Sequence, residues 1–377
     1  MNVKRILAIA WKEFIQIKRD PRSLALSLGI PVLLLLIFGF GLSLDIDHVR
    51  TIVWNQDPSS KVTRDFLLNF KYSKYFHIIA YTDNYRDIQD KIDSGEAMLA
   101  FVIPKDFSRL LESGKAAPLQ LIVDGSDANT ATIAMNYVNS VIHAYNTQLL
   151  TDVLYSRGIT PRARVEARPR VWYNMGLVST WFIVPGVLAM IIMIVSALVT
   201  SLCVAREWER GTMEQLISTP VKAPELIIGK FLPYFCIGFL DLTVGVLMAQ
   251  LLFGVPFRGN YITLIFMSWL FLTGALSQGI YISVVARSQL MASQLASLTT
   301  LIPTLLLSGF IYPIFNMPKA IQAITYLVPA RYYIIILREL FLKAGGLAVM
   351  WDEMLFLLLF AVFMFTCSIK RFQKKVV

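Results

Sequence analysis

Six stretches of this chain are apolar for long enough to cross about 30 Å of hydrocarbon, a thickness that roughly 20 helical residues span. They cover approximately residues 24–44, 177–204, 226–253, 261–286, 290–311 and 354–369. The third carries Lys230, the fifth carries Gln294, and the last is short unless the amphipathic residues 349–353 extend it. A chain of 377 residues that is 56% hydrophobic, only 16% charged and +0.60 in mean hydropathy is too apolar for one soluble domain. The expected fold is a membrane protein, mainly α, with six transmembrane helices plus an α/β extracytoplasmic domain.

Orientation follows from Lys and Arg in the short loops. The N-terminal flank, residues 205–222, the turn at Arg287 and the tail together hold fourteen. The opposite side holds five, namely Arg258, Lys319, Arg331, Arg338 and Lys343. Both termini are therefore expected in the cytoplasm. The expected organisation is an amphipathic N-terminal helix (1–23), the first span (24–44), the outer domain (45–174), spans two to six (175–369) and a basic cytoplasmic tail (370–377).

Residues 45–174 differ in kind, with 15 basic and 15 acidic side chains, so the formal charge of +10 sits in the rest of the chain. Membrane topology accounts for that excess; no basic stripe with interleaved aromatics suggests nucleic acid. Within 45–174, β-rich runs at 51–54, 76–81, 99–103 and 119–123 alternate with helical stretches at 60–70, 85–93 and 105–112, before a long helix at about 127–156. Asp57-Pro58, Ser94-Gly95 and Asp124-Gly125 mark turns, and the Arg- and Pro-rich 157–170 reads as a tether.

The first span is expected to stay as an anchor, because 23 residues precede it and no small-residue cleavage site follows. Asp20 and Pro21 suit the cap and first position of its helix. Before it, Val3, Ile6, Leu7, Ala10, Phe14 and Ile17 fall within about 100° of one helix face, with Lys4, Arg5, Lys12 and Arg19 elsewhere. This pattern describes a helix lying on membrane lipids, although an ordinary positive flank would also carry such charges. Cys203, Cys236 and Cys367 fall in spans, so no disulfide framework supports the outer domain. His48, His77 and His143 lack ligand-like spacing, and no metal site is expected.

The segment 205–220 is charged and wedged between two apolar runs. Glu207 and Arg210 are three apart and can pair on one helix face, while Trp208 suits the membrane interface. Gly211 breaks the helix, and Thr212-x-x-Gln215 fits a capping box that restarts it. Met213, Leu216 and Ile217 then share a face of a short helix ended by Pro220. Two readings fit: a knob that inserts into a partner's groove, or a plain membrane-surface helix.

Ionised side chains at mid-bilayer cost about 2.5–3.5 kcal/mol. Asp241, near the centre of span three, is thus a candidate for the interior pathway, with Gln278 and Gln294 as further polar candidates. Lys230 is near the inner end and is expected to snorkel. Eleven residues separate it from Asp241, or some 16 Å along the helix, too far for a direct ion pair. Residues 313–345 carry apolar helical stripes interrupted by Pro329, which suggests helices dipping into the outer leaflet.

The whole chain resembles the ABC-2 class of ABC transporter permeases, in particular bacterial exporter subunits with a large insert between spans one and two. The likeness rests on Lys12-Glu13 with Arg19-Asp20-Pro21, on Gly95 followed by 101–107, on 123–126, on Ser308-Gly309-Phe310 with Pro313, Met317-Pro318 and 329–332, and above all on Arg206-Glu207-Trp208-Glu209-Arg210-Gly211-Thr212-Met213-Glu214. The resemblance implies that this last stretch is a coupling helix seated on a separate cytosolic ABC ATPase. It also implies that the N-terminal helix, with Ile6, Leu7, Lys12, Glu13 and Phe14, braces that contact.

Neither Gly114-Lys115 nor Gly229-Lys230 is followed by Ser or Thr, so no phosphate loop is present in the sequence, and ATP with magnesium is expected on the partner. No catalytic residue is expected here. The resemblance further implies a second permease chain, identical or paralogous, residence in the bacterial inner membrane, and export of amphipathic or lipid-like compounds or drugs, with a periplasmic adaptor as a further partner. Two other classes fit the residues alone: an ion-coupled secondary transporter, or a membrane-anchored envelope receptor or assembly factor.

Overall fold

The computed structural model describes residues 2–21, 25–41, 48–156, 172–174 and 178–372. Arg22, the expected tether at 157–170, the expected ends of the first span and the last residues of the basic tail lie outside them. The chain divides into two compact units, Leu44–Pro169 on one side and Met1–Ser43 with Arg170–Val377 on the other.

The larger unit is helical. It opens with α1 (Val3–Arg19), followed by a wide π turn (Ala25–Gly29) and α2 (Ile30–Gly41). Among the described residues five helices are long and apolar enough to cross a membrane: α7 (Ser179–Glu209), α9 (Ala223–Leu251), α10 (Tyr261–Ala286), α11 (Gln289–Leu307) and α14 (Trp351–Arg371). The first expected span is described as the shorter apolar helix Ser27–Gly41. Between α11 and α14, α12 (Lys319–Thr325) and α13 (Pro329–Lys343) pass the same test as a pair bent by 80°. Pro329 begins α13, where its missing N–H costs nothing. Helix α13 is part of the core: Tyr333 is fully buried, stacks on Phe271 at 4.0 Å and shares a 2.7 Å hydrogen bond with Ser268. The exposed stripe lies on α12 and the turn after it, at Ile321, Ile324 and Leu327.

Helix α7 is the most enclosed span, with both faces packed by other helices of the unit. Its mean apolarity leaves it no polar face to present. Thr200 donates to the Leu276 carbonyl of α10, and Ser283 Oγ of α10 accepts from the Val204 and Ala205 amides at 2.9 Å. These bonds set the α7 and α10 register.

The smaller unit contains a four-stranded sheet in the order β2-β1-β3-β4, with β1 (Val49–Asn55), β2 (Phe76–Thr82), β3 (Leu99–Ile103) and β4 (Gln120–Val123). Strand β1 pairs parallel with β2 and β3, and β4 runs antiparallel to β3. The crossovers are α3 (Lys61–Lys71) and α4 (Tyr85–Asp93); α5 (Phe107–Glu112) precedes β4 and α6 (Ala128–Ser156) follows it. The central β3 is buried throughout, as a strand covered on both faces must be. An aromatic cluster fills one side: Phe70, fully buried, lies 5.2 Å from Phe66, 5.3 Å from Phe76 and 4.5 Å from Phe101.

The loop after β1 is tied down by Asp57. Its Oδ2 accepts from the Thr63 hydroxyl at 3.1 Å and the Ser108 amide at 3.2 Å, while Asn55 Oδ1 accepts its amide at 2.9 Å. Hydrogen bonding from Ser108 above all holds the Asp57 carboxyl below the usual carboxylate range. Ser60 Oγ caps α3 by accepting from Val62.

Because Phe70 sits at the hub of the aromatic cluster, Phe70→Ala is expected to cost about 3–5 kcal/mol of this unit's stability. Denaturant titration followed by near-UV circular dichroism would read this; a loss under 1 kcal/mol would contradict the packing described.

Candidate functional site

At one end of the helical unit, three segments distant in sequence place charges together inside the protein. Lys230 of α9 is 0% exposed, Glu13 of α1 is 2% exposed and Glu207, in the last turn of α7, is 3% exposed. Lys230 Nζ donates to Glu13 Oε1 at 2.6 Å and to the Cys203 carbonyl at 3.4 Å. It also lies 2.8 Å from Glu207 Oε2, an ion pair without hydrogen-bond alignment. Lys12 Nζ reaches Glu207 Oε1 at 2.5 Å from the surface. Two ammonium groups thus face two carboxylates, and no net charge is left in the interior.

This arrangement corrects two expectations. Lys230 does not snorkel, because two carboxylates come to it. Glu207 turns inward to Lys230 and Lys12 and makes no pair with Arg210, since a buried ammonium is a stronger claim on a carboxylate than an exposed guanidinium.

Close backbone approach makes the cluster possible. A Cβ on Gly229 would fall 2.7 Å from the Ile9 side chain and 3.1 Å from the Ile6 carbonyl, so only glycine lets α1 lie this near α9. The start of α1 is held as well: Glu225 of α9 accepts the Asn2 amide at 2.7 Å and lies 3.8 Å from Arg5, which donates to the Pro220 carbonyl.

The single apolar face expected for the N-terminal helix is therefore split. Ile6, Ile9 and Ile17 are buried with Glu13, whereas Val3 (65% exposed), Leu7, Trp11 (65%) and Phe14 form an exposed stripe. Glu13 is drawn inward by Lys230 and rotates the helix to suit.

The segment Arg206–Glu214 bridges further elements. Arg206 Nη1 lies 3.4 Å from Asp20 Oδ2, and Asp20 ends α1; the helix start beyond Pro21 lies outside the described residues. Glu209 grips the beginning of α11. Its Oε1 accepts the Gln289 amide at 2.6 Å and its Oε2 accepts from the Gln289 side chain, whose Oε1 in turn takes Arg206 Nε at 3.4 Å. The Arg287 guanidinium sits 5.1 Å from the Trp208 ring centroid. Sequence reading missed this clamp, and the signal was weak: Ser288 before Gln289 is a helix-cap residue, which it proves to be by accepting from Met291.

After Arg210 the chain reverses at Gly211, φ +68°, a left-handed conformation that suits glycine. The short α8 (Thr212–Ser218) follows, so Gly211 occupies the cap position and Thr212 is the first helical residue, in place of the expected Thr212 capping box. Met213 is buried, and Leu216 is partly buried; the Ile217 side chain lies outside the described ones. Arg210, Gly211, Glu214 and Gln215 are exposed, Trp208 and Thr212 are half-buried, and Glu209 is exposed but engaged by Gln289.

The three pathway candidates do not converge. Asp241 is half-buried beside Ser196, Tyr234 and Gly238. Gln278 lines a cavity of about 210 Å³ with Met193, Thr299, Thr304, Pro329 and Phe360, and its Oε1 is buried without a hydrogen-bond partner among the described residues. Gln294 faces the outside of the chain on α11.

A spanning helical bundle whose charged hairpin is held by an N-terminal surface helix defines a class of membrane protein, and comparison gives it a family. The model for the ABC-2 family transporter protein matches residues 21–370, and the chain belongs to that family. It is 38% identical over 363 residues to the probable multidrug ABC transporter permease YbhS of Escherichia coli (strain K12), covering 96% of this chain and 95% of that protein. It is 29% identical over 375 residues to the probable multidrug ABC transporter permease YbhR of the same strain, covering 99% of each. The inner membrane transport permease YhhJ is 27% identical over 291 residues, about three quarters of either chain. This is a multi-pass membrane protein of the ABC-2 transporter family.

Removing Lys230 alone would leave two buried carboxylates with Lys12 as their one ammonium, an uncompensated buried charge that costs about 3–5 kcal/mol. Lys230→Met is thus expected to lower the temperature at which the solubilised chain loses its monodisperse peak, and Glu13→Gln added to Lys230→Met to recover part of the loss. If the double variant were no better than the single one, the charges would be independent and the cluster misread.

Proposed function

We propose that this chain is the permease subunit of an ATP-driven ABC-2 exporter, with ATP and magnesium bound by separate cytosolic ATPase subunits. The observation that carries the reading is the hairpin Arg206–Glu214: buried Glu207 ties it to α1 and α9 and Glu209 ties it to α11, while Arg210 and Glu214, with Gln215 just beyond, remain exposed. A knob rigidly joined to three helices and free on one face is suited to receive force from a partner.

In this reading the ATPase seats on α8 and its push leaves by two routes. One runs through Glu207, Lys230 and Glu13 to α9 and the N-terminal helix. The other runs through Glu209 and Arg206 to Gln289, and so to α11, whose Thr299 and Thr304 line the cavity at Gln278. The exposed stripe of Val3, Leu7, Trp11 and Phe14 rests on membrane lipid, which keeps α1 in the interface plane. Both termini and the hairpin are cytoplasmic, the α/β unit is extracytoplasmic, and the membrane is the bacterial inner membrane.

A second permease chain, identical or paralogous, completes the pathway, and an envelope adaptor can meet the α/β unit. The names of the relatives, multidrug permeases, support amphipathic compounds, lipid-like molecules or drugs as cargo. Asp241, Gln278 and Gln294 remain pathway candidates, with Gln278 favoured by its unpartnered carbonyl beside a cavity.

Charge reversal at the exposed tip, Arg210→Glu with Glu214→Arg, is expected to cut co-purification of the ATPase subunits from the same cell at least ten-fold while the chain still inserts. Wild-type chain that captures no ATPase, or a reversed chain that captures it equally well, would overturn the reading. Gln289→Ala should separate the steps: ATPase capture unchanged, drug extrusion reduced several-fold. Unimpaired extrusion would remove the α11 route and leave the cluster route alone.

A further inference from the structure

The α/β unit holds a groove of about 690 Å³, lined by α3 and by the carboxyl ends of β1 and β2 through Asn55, Tyr81 and Thr82. We propose that this groove binds an anionic amphiphile, a molecule with one negatively charged head and an apolar body, independently of any ATPase.

Three observations support it. The first is placement. In an open sheet with parallel strands, ligands bind outside the carboxyl ends of those strands, where loops diverge and helix ends gather. The groove lies there, and its volume falls within the roughly 300–1,000 Å³ typical of small-molecule sites.

The second is charge. Lys61, Arg64, Leu68 and Lys71 recur at three- and four-residue spacing and so share one face of α3, opposite the buried Thr63, Phe66 and Phe70. Among the described residues none of the three cations makes an ion pair. Asp65 is the single carboxylate in the lining, so positive charge is in excess. Elsewhere in residues 48–156 acidic side chains predominate, which makes this local excess a feature of the groove and not of the unit.

The third is the apolar and preorganised wall. Leu67, Leu68, Pro58 and the ring of Tyr81, 62% exposed, supply apolar surface between the cations. The loop that forms one rim is fixed by the Asp57 hydrogen bonds to Thr63 and Ser108. Asn55 Oδ1 is used by the Asp57 amide, which leaves the Asn55 Nδ2 hydrogens to donate to an anionic head. Lys and Arg stems can pack along an apolar body while their charged ends meet that head.

The test uses the full chain in phosphatidylcholine nanodiscs with dansyl-undecanoic acid as probe and its neutral alcohol analogue as comparison. The expected result is saturable binding of the acid, at least ten-fold weaker binding of the alcohol, and at least ten-fold loss with Lys61→Gln, Arg64→Gln and Lys71→Gln together. All three side chains are exposed, so the fold should survive; Leu68→Ser is expected to weaken both probes, and Lys105→Gln, outside the lining, neither. Competition by phosphatidylglycerol built into the nanodisc would assign the head to a membrane lipid, and competition only by free alkyl carboxylate would assign it to a soluble compound; either supports the proposal. Equal binding of acid and alcohol, unchanged binding in the triple variant, or inorganic phosphate competing as well as the alkyl acid would overturn it.

Discussion

An ammonium group stays charged in a protein interior at a heavy cost unless carboxylates are buried with it, and Lys230 meets that condition by drawing on three segments of the chain. Its demand fixes the rotation of α1, the direction of Glu207 at the end of α7 and the distance between α1 and α9, where Gly229 supplies the needed room. Replacing any one member leaves the remaining charges out of balance, which couples the three helices. A hydrophobic contact of similar area would hold the helices together but would not specify which face of α1 turns inward.

The same hairpin is held from its other side by Glu209 and Gln289. A charged motif that lies in one stretch of sequence therefore faces in two directions: Glu207 serves α9 and α1, Glu209 serves α11, and Arg206 reaches both Asp20 and Gln289. Among the described side chains of the hairpin, those at Arg210, Glu214 and Gln215 stay exposed and engage no other helix. In the proposed export cycle this separates residues that meet the ATPase from residues that carry its motion, and the two groups interleave along the chain because a helix places neighbours about 100° apart.

The α/β unit illustrates what local pattern can reveal. Its strands were readable because β-branched and aromatic runs of four to seven residues alternate with helical periodicity and end at turn dipeptides, and the observed β2 and β3 begin where the pattern begins. The strand order, β2-β1-β3-β4, was not readable: three parallel or antiparallel pairings depend on crossovers whose direction is set by packing of α3, α4 and α6 against the sheet. The groove beside α3 depends in turn on that order, since it needs the ends of β1 and β2 to be adjacent.

What the sequence alone determined was the membrane class, the approximate spans, the alternation of the α/β unit, the hairpin and the family, because each is written in composition, in period or in a contiguous motif. What only the tertiary structure decided was which side chains face each other. In the sequence Lys230 read as a snorkelling charge, Glu207 as a partner for Arg210, and Lys12 and Glu13, by resemblance, as part of a helix bracing the coupling segment, while Gln289 carried no signal of its own. Gln289 and Glu209 are 80 residues apart in sequence, Lys12 and Glu207 are 195 apart, and Glu13 and Lys230 are 217 apart. No local period encodes such a distance; it is set when apolar helices pack and the few charges among them must find one another to avoid an unpaired charge in the interior.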